Sequence, residues 1–117
     1  MKEAELKLAV SQYLEYKTNL GELYADRLNS GAIYEKRGDR VYGVKLCREG
    51  TADFMVLKGR GAFLGQRLES LIFLELKSDK GKQRPEQREF QKLVEAQGAS
   101  YFIIRSIEEL QTILEGK

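Results

Sequence analysis

Two charged residues stand at the end of an apolar run that has the composition of a buried strand. The run is LIFLEL, residues 71–76, which contains Glu75 and is followed by Lys77. Successive side chains of a strand point to opposite faces, so Glu75 and Lys77 share one face and Leu76 points to the other. Ionised groups in a dry interior are unfavourable unless they are paired or bind a metal. The pair therefore indicates either structural compensation or a functional site.

Asp53 is a second candidate carboxylate, because it directly precedes another apolar run, FMVL at 54–57. If the two runs pair antiparallel with Leu57 opposite Leu71, Asp53 lies opposite Glu75. Directly opposed Cβ atoms in such a pair are about 4.5–5.5 Å apart, so the two negative charges would repel each other. A divalent cation between them would turn this repulsion into a binding site. Mg²⁺ suits such a site, since it takes one or two carboxylates and completes its shell with water and phosphate oxygens.

Lys77 lies on the same predicted face as Glu75 and could take part in phosphate chemistry there. A bound divalent ion can lower the pKa of a water and neutralise charge on a phosphate under attack. Lys77 could orient or deprotonate the attacking water, or stabilise the pentacovalent state by its charge. The alternative interpretation is that Asp53 is a turn residue and that Glu75 and Lys77 form an exposed pair at a strand end. These residues alone leave both interpretations open.

Basic residues are concentrated after this pair. Between positions 77 and 92 there are six basic residues against three acidic ones. Lys80, Lys82 and Arg84 cluster in a glycine-containing loop before Pro85, where a helix is predicted to begin. Loop amides and the positive end of a helix favour phosphate, and the basic side chains add charge. The pattern predicts nucleic-acid contact by these three residues, with a solvated loop and helix face as the alternative.

The composition excludes several kinds of site. The chain has 117 residues, no histidine and one cysteine, Cys47. It therefore has no Ser-His-Asp or Cys-His nucleophile, no imidazole metal site, no intramolecular disulfide and no multi-cysteine zinc site. The formal net charge of +2 is too small to indicate a nucleic-acid partner by itself. No segment resembles a signal-peptide core or a transmembrane span, so we expect a cytoplasmic protein without a membrane partner.

The periodicity of apolar residues predicts the elements that must position these groups. An apolar stripe predicts a helix over 2–17, and two β-prone runs around a Gly-Asp turn predict a hairpin around 32–46. Gly98 is expected to end a helix, and Ser106 with Glu109 forms a capping-box pattern at the start of another. The order of elements predicts an α/β sandwich around a mixed sheet. Its further expected elements are strands at 54–57, 71–76 and 100–104, a possible strand within 22–28, and helices after Pro85 and Ser106.

Three segments of the sequence, taken together, resemble one nuclease family. They are GTADF, FLELKSDKGKQRPEQREF and GASYFIIRSIEEL, within 50–110. The family is the virus-type replication-repair nuclease (VRR-NUC) domain of the PD-(D/E)XK superfamily. One departure is Ala52, where the superfamily name carries a proline before the aspartate. The family pattern is matched by Gly50, Asp53, Glu75, Lys77, Lys80, Gly81, Gln87, Gly98, Ser106, Glu108 and Glu109.

The resemblance implies a restriction-endonuclease-like PD-(D/E)XK fold over the whole chain, with a central mixed sheet flanked by helices in a single domain. It implies Mg²⁺ or Mn²⁺ held by Asp53, Glu75 and the backbone carbonyl of Leu76, with Lys77 catalytic. The hairpin around 32–46 has no counterpart in the family pattern. Two further catalytic-site positions of the family correspond here to Glu5 and Gln87, although Glu5 and nearby Glu3 could equally be surface charges and Gln87 a core-edge amide.

The implied activity is that of a structure-selective DNA endonuclease, which hydrolyses phosphodiester bonds in branched DNA such as Holliday junctions or flaps. Short stand-alone members of the family dimerise, so the expected partners are DNA and a second copy of the chain. The expected setting is the bacterial cytoplasm, for a bacterial or phage-encoded protein. A non-catalytic DNA-structure-binding module with the same fold is one alternative. An interaction module that never contacts nucleic acid is another.

Overall fold

A computed structural model describes residues 2–59 and 68–116 of the chain. The predicted α/β architecture, with a mixed sheet flanked by helices and a separate hairpin around 32–46, is confirmed. Residues 60–67, in the predicted long connection between the strands at 54–57 and 71–76, lie outside the described residues. The helices are α1 (Glu3–Asn19), α2 (Pro85–Ala96) and α3 (Ile107–Glu115), and the strands are β1 (Tyr24–Arg27), β2 (Ala32–Arg37), β3 (Arg40–Lys45), β4 (Phe54–Gly59), β5 (Leu68–Leu76) and β6 (Ser100–Ile104).

The main sheet has the strand order β1-β4-β5-β6. β4 is antiparallel to both of its neighbours, whereas β6 is parallel to β5. Leu57 pairs with Leu71, so the predicted register of β4 and β5 is confirmed. In this register Asp53, which stands one step before β4, comes opposite Glu75. The sheet therefore brings the two candidate carboxylates to the same edge.

α1 and α3 cover one face of the sheet. Leu6, Val10 and Leu14 recur every four residues in α1 and form its buried stripe. This stripe packs on alternate residues of β4 and β5, and α3 closes the same layer with its own apolar side chains. The buried residues of this core are Leu6, Val10, Leu14, Phe54, Val56, Ile72, Leu74, Leu76, Ile104, Leu110 and Leu114.

α2 covers the other face. Its Phe90 packs edge-on against Phe73 of β5, with ring centroids 5.1 Å apart, and also packs near Tyr101 of β6. β5 thus directs Leu76 toward the first face, and Phe73 and Glu75 toward the second. Helices on both faces explain why the apolar run of β5 is nearly continuous. They also place Glu75 inside a covered layer.

The helix ends follow the predicted signals. The backbone N–H of Glu109 donates a hydrogen bond to Ser106 Oγ at 3.2 Å, which caps the amino end of α3. α2 begins at Pro85, and its carboxyl end runs into Gly98, where φ is +95°. Glycine adopts such a left-handed conformation readily, so Gly98 stops the helix as predicted. Both predicted ends are confirmed.

Gly50 brings the loop before β4 close to the first turn of α2. Its φ is +88°, and a Cβ built there would lie 2.3 Å from the carbonyl oxygen of Glu86 and 3.1 Å from the backbone nitrogen of Gln87. Only glycine combines this conformation with so close an approach of two backbones. The contact holds Asp53, three residues further on, in the same cavity as the amino end of α2.

Gly50→Ala should destabilise the fold more than Gly98→Ala does. Both glycines have a positive φ, but a Cβ at Gly98 would meet nothing within 4 Å. The difference between the two variants therefore isolates the clash with α2, which we expect to lower the free energy of unfolding by about 1–3 kcal/mol. Urea denaturation measures both values. Equal destabilisation would contradict the tight contact between this loop and α2.

Candidate active site

One cavity of about 340 Å³ lies at the carboxyl end of β5, between the amino ends of α1 and α2. Most of the side chains that the sequence singled out line this cavity. Lys80 and Glu5 are exposed and do not belong to its lining, and Leu76, whose side chain is buried in the core, does not belong to it either. The predicted site residues in the lining are Asp53, Glu75, Lys77, Lys82, Arg84 and Gln87.

Asp53 is held by its neighbours on both sides. Its backbone carbonyl accepts a hydrogen bond from Leu28 N at 2.8 Å, just after β1. Its carboxylate Oδ2 accepts a hydrogen bond from Leu76 N at 2.8 Å, and Oδ1 lies 3.3 Å from Lys7 Nζ. These contacts fix the carboxylate across the end of the β4–β5 ladder, in the position that the register predicts.

Glu75 is a carboxylate in an unfavourable place. The residue is 3% exposed, and its Oε1 is buried without a hydrogen-bond donor among the residues that the structure describes. Burial, followed by the negative charge of Asp53, raises the pKa of Glu75 to about 8. Lys77 acts in the opposite direction, since its positive charge favours the ionised form of Glu75. The positive charge compensates only part of the effect of burial.

Lys77 is buried beside Glu75, on the shared face that strand periodicity predicts. It is 7% exposed, its Nζ lies 3.9 Å from Glu75 Oε2, and its backbone N–H donates to the carbonyl of Ile104. Gly81 lies against its stem, because a Cβ built on Gly81 would be 3.4 Å from both Cβ and Cδ of Lys77. The interpretation of Glu75 and Lys77 as an exposed pair is therefore wrong.

The oxygen atoms around the cavity suit a hard divalent cation. Two carboxylates, those of Asp53 and Glu75, converge there, and one buried oxygen of Glu75 has no donor within the described part of the chain. Leu76 directs its N–H toward Asp53, and the N–H and C=O of one strand residue point to the same side, so its carbonyl faces Asp53 as well. Within residues 2–59 and 68–116, no group of three or more Asp, Glu, His or Cys residues could hold a metal. A site of two carboxylates and a carbonyl matches the chemistry of Mg²⁺, which keeps several waters.

The first helix contributes different residues from the one that the sequence suggested. Glu3 and Lys7 line the cavity, and their side chains lie 3.7 Å apart. Both are partly buried and lie on one side of Leu6, whereas Glu5 is exposed. The glutamate of α1 that belongs to the cavity is therefore Glu3, and Glu5 is a surface residue. Lys7 was missed, although its i,i+4 spacing from Glu3 was available as a signal.

Gln87 has a structural role that is visible in its contacts. Its Oε1 accepts a hydrogen bond from Arg84 N at 2.8 Å, which satisfies a free N–H at the start of α2. The residue is buried and lines the cavity. Gln87 thus fixes the amino end of α2 beside the carboxylates.

Arg105 shapes the loop that covers Lys77, and sequence reasoning missed it. Its Nη1 donates to the carbonyls of Ser78 at 2.6 Å and Gly81 at 2.8 Å. Leu76 pairs with Ile104 in the parallel β5–β6 ladder, so Arg105 emerges at the same edge as Lys77. Pairing the apolar runs of β5 and β6 in this register would have placed Arg105 beside Lys77.

The basic loop meets the cavity at its mouth. Lys82 and Arg84 are exposed and line the cavity, while Lys80 lies outside it. Arg84 also contacts Glu86, with 3.3 Å between Nε and Oε1. Two of the three predicted nucleic-acid-binding side chains therefore line the cavity.

No protein-family model and no curated protein matches this sequence. None of the described helices is long and apolar enough to cross a membrane. The predicted family, the DNA partner and the homodimer stay predictions, and the functional assignment rests on the geometry of the cavity.

Neutralising Glu75 should flatten the dependence of stability on pH in the metal-free protein. The folded chain raises the pKa of Glu75 from 4.5 to about 8, so the folded state binds its proton more tightly than the unfolded state. This contribution to stability is complete below the unfolded pKa and is lost as the pH rises through the folded pKa. We expect the free energy of unfolding to fall between about pH 5 and pH 8, and to fall less in Glu75→Gln.

Urea denaturation in EDTA across this pH range measures the effect. Glu5→Gln is the matched control, because it removes a carboxylate that is exposed. If Glu75→Gln and Glu5→Gln show the same pH dependence, Glu75 is not held in the unfavourable environment described above.

Proposed function

We propose that this chain is a Mg²⁺- or Mn²⁺-dependent DNA endonuclease of the VRR-NUC type, with a PD-(D/E)XK core. The observation that carries the assignment is the buried Glu75 carboxylate, which lies beside Asp53 and Lys77 in one cavity and has an oxygen that no described residue donates to. The matching motif order over 50–110 supports the same assignment.

Glu75 is difficult to explain as a structural residue. A buried carboxyl group without full hydrogen bonding destabilises a fold, and whenever Glu75 is ionised the carboxylate of Asp53 adds repulsion. The 3.9 Å separation between Lys77 and Glu75 is too long for a hydrogen bond, so Lys77 compensates only in part. A divalent cation held by both carboxylates would remove the repulsion and give the free oxygen a partner. Perturbed titratable groups in a cleft are typical of functional sites.

Three residues would hold the ion, through the carboxylates of Asp53 and Glu75 and the backbone carbonyl of Leu76. When bound, a divalent ion lowers the pKa of a coordinated water and neutralises charge on the phosphate under attack. The hydrogen bond from Leu76 N to Asp53 preorganises one of these ligands before any ion arrives. Lys77 is buried, so its positive charge acts in a low dielectric on the negative charge that builds up on the phosphoryl oxygens.

The surroundings of the cavity favour a phosphodiester as substrate. Lys82 and Arg84 stand at the mouth and add positive charge where the backbone of a nucleic acid would lie. The hydrogen bonds of Arg105 to the 78–81 loop fix that loop over Lys77. We extend the proposal to branched DNA, such as four-way junctions or flaps, on the strength of the family resemblance.

Asp53→Ala, Glu75→Ala and Lys77→Ala should each lose DNA cleavage while remaining folded. Removing a metal ligand or a transition-state charge from such a site typically lowers the rate about 100-fold or more. The assay uses linear, flapped and four-way DNA with Mg²⁺ or Mn²⁺, and circular dichroism monitors folding. Glu5→Ala is the control that should retain cleavage, because Glu5 is exposed outside the cavity.

Cleavage that persists in all three variants would refute the assignment. The competing function, a non-catalytic DNA-structure-binding module, gives a different result. In that case the wild type would bind branched DNA and would not cut it at any concentration of either metal.

A further inference from the structure

The β2–β3 ribbon has no share in either core, and every residue of both strands is exposed. An isolated two-stranded hairpin is marginally stable in water. Exposed apolar side chains that cluster on one surface often mark an interaction site. The ribbon carries several such side chains, and the family resemblance does not account for them. The largest are Ile33, Tyr34, Val41, Tyr42 and Val44.

The register divides the ribbon into two different faces. Tyr34 pairs with Gly43 and Ala32 with Lys45, so Tyr34 and Lys45 belong to one face. Tyr42 pairs with Glu35 and belongs to the opposite face. We call the face that carries Tyr34 and Lys45 the inner face, because it is turned toward the main domain.

A second cavity, of about 600 Å³, lies between the inner face and the amino end of α2. The ribbon supplies Tyr34, Gly43 and Lys45 to its lining, and the main domain supplies Arg84. Ser30 and Arg84 line both this cavity and the candidate active site. The two cavities are therefore adjacent parts of one groove that runs from Glu75 to the ribbon.

Tyr34 is presented to this groove as an open aromatic surface. The residue is 74% exposed, and a Cβ built on Gly43 would lie 3.2 Å from its Cε1. Gly43 thus lets one side of the ring lie against the ribbon backbone while the remainder stays open. An aromatic ring displayed in this way can stack with any nucleic-acid base.

We propose that this groove binds the unpaired strand next to the scissile phosphate, with a base stacked on Tyr34 and phosphates on Lys45 and Arg84. This role rests on the proposed nuclease function, and it specifies the substrate as DNA with a single-stranded segment beside the cut. A cleft of about 600 Å³ is the size of a small-molecule pocket, so it has room for a nucleotide or two.

The charges favour a nucleic acid over a second copy of the chain. In the second cavity, the basic residues Lys45 and Arg84 stand against one acidic residue, Glu49. The adjacency of the second cavity to the candidate active site also favours a nucleic acid. A nucleic-acid strand with one phosphate held at Glu75 must continue along an adjoining surface. Binding of a protein partner would not require the two cavities to be adjacent.

The test compares two tyrosines of the same ribbon in EDTA, where no cleavage can occur. Fluorescence anisotropy measures binding of a labelled single-stranded dT oligonucleotide and of a blunt duplex. Tyr34→Ala should weaken single-strand binding about tenfold or more, because it removes the ring on which a base stacks. Tyr34→Trp should keep the wild-type affinity, because tryptophan also offers an aromatic ring for stacking. Tyr42→Ala, on the opposite face, should bind as the wild type does. The duplex affinities should be the same in all variants.

Lys45→Ala provides an independent readout of the phosphate contact. Loss of one phosphate contact to a single strand lowers the slope of log K against log salt concentration by about 0.7. Arg40→Ala, on the ribbon face away from the groove, should leave the slope unchanged.

The proposal that the groove binds an unpaired strand would be contradicted if Tyr34→Ala and Tyr42→Ala bound single-stranded DNA equally well. It would also be contradicted if the wild type bound no single-stranded DNA. If the Tyr34-dependent affinity is found but the wild type never cuts DNA with Mg²⁺ or Mn²⁺, the groove stands and the nuclease function fails. If the wild type cuts branched DNA but Tyr34→Ala binds the single strand normally, the nuclease stands and the groove fails.

Discussion

The antiparallel register of β4 and β5 is the constraint on which the rest of the site depends. Because Leu57 lies opposite Leu71, Asp53 comes opposite Glu75 and accepts a hydrogen bond from Leu76 N. A slip of one residue would turn every side chain of a strand to the other face and separate the two carboxylates. The apolar residues on both faces oppose such a slip, so the hydrophobic core itself specifies the geometry of the site.

The same core places Glu75 in an unfavourable environment. Helices on both faces exclude water from the end of β5, and this burial raises the pKa of Glu75. Structural contacts around the cavity hold Glu75 and its neighbours in place. Examples are the close approach of Gly50 to α2 and the hydrogen bonds from Arg105 to the loop at 78–81. Local destabilisation within an otherwise well-packed fold, such as that caused by the buried Glu75, is typical of binding and catalytic sites.

Much of this arrangement could be predicted from the sequence, because local patterns determine it. Period-2 and period-3.6 repeats located the strands and helices, and matching the two apolar runs gave the register of Asp53 and Glu75. The choice of Glu3 over Glu5 depends on how α1 rotates onto the sheet, which one helix cannot reveal. The placement of the β2–β3 ribbon across a cavity from Arg84 likewise depends on the tertiary arrangement of segments about 40 residues apart. No local signal encodes it.

The most direct test of the central claim is a crystal structure grown with Mn²⁺, with the ion located by its anomalous scattering. The account predicts a peak in contact with the carboxylates of Asp53 and Glu75 and with the carbonyl oxygen of Leu76. A well-ordered cavity that holds no ion at saturating Mn²⁺, or Mn²⁺ bound only at unrelated surface carboxylates, would contradict it.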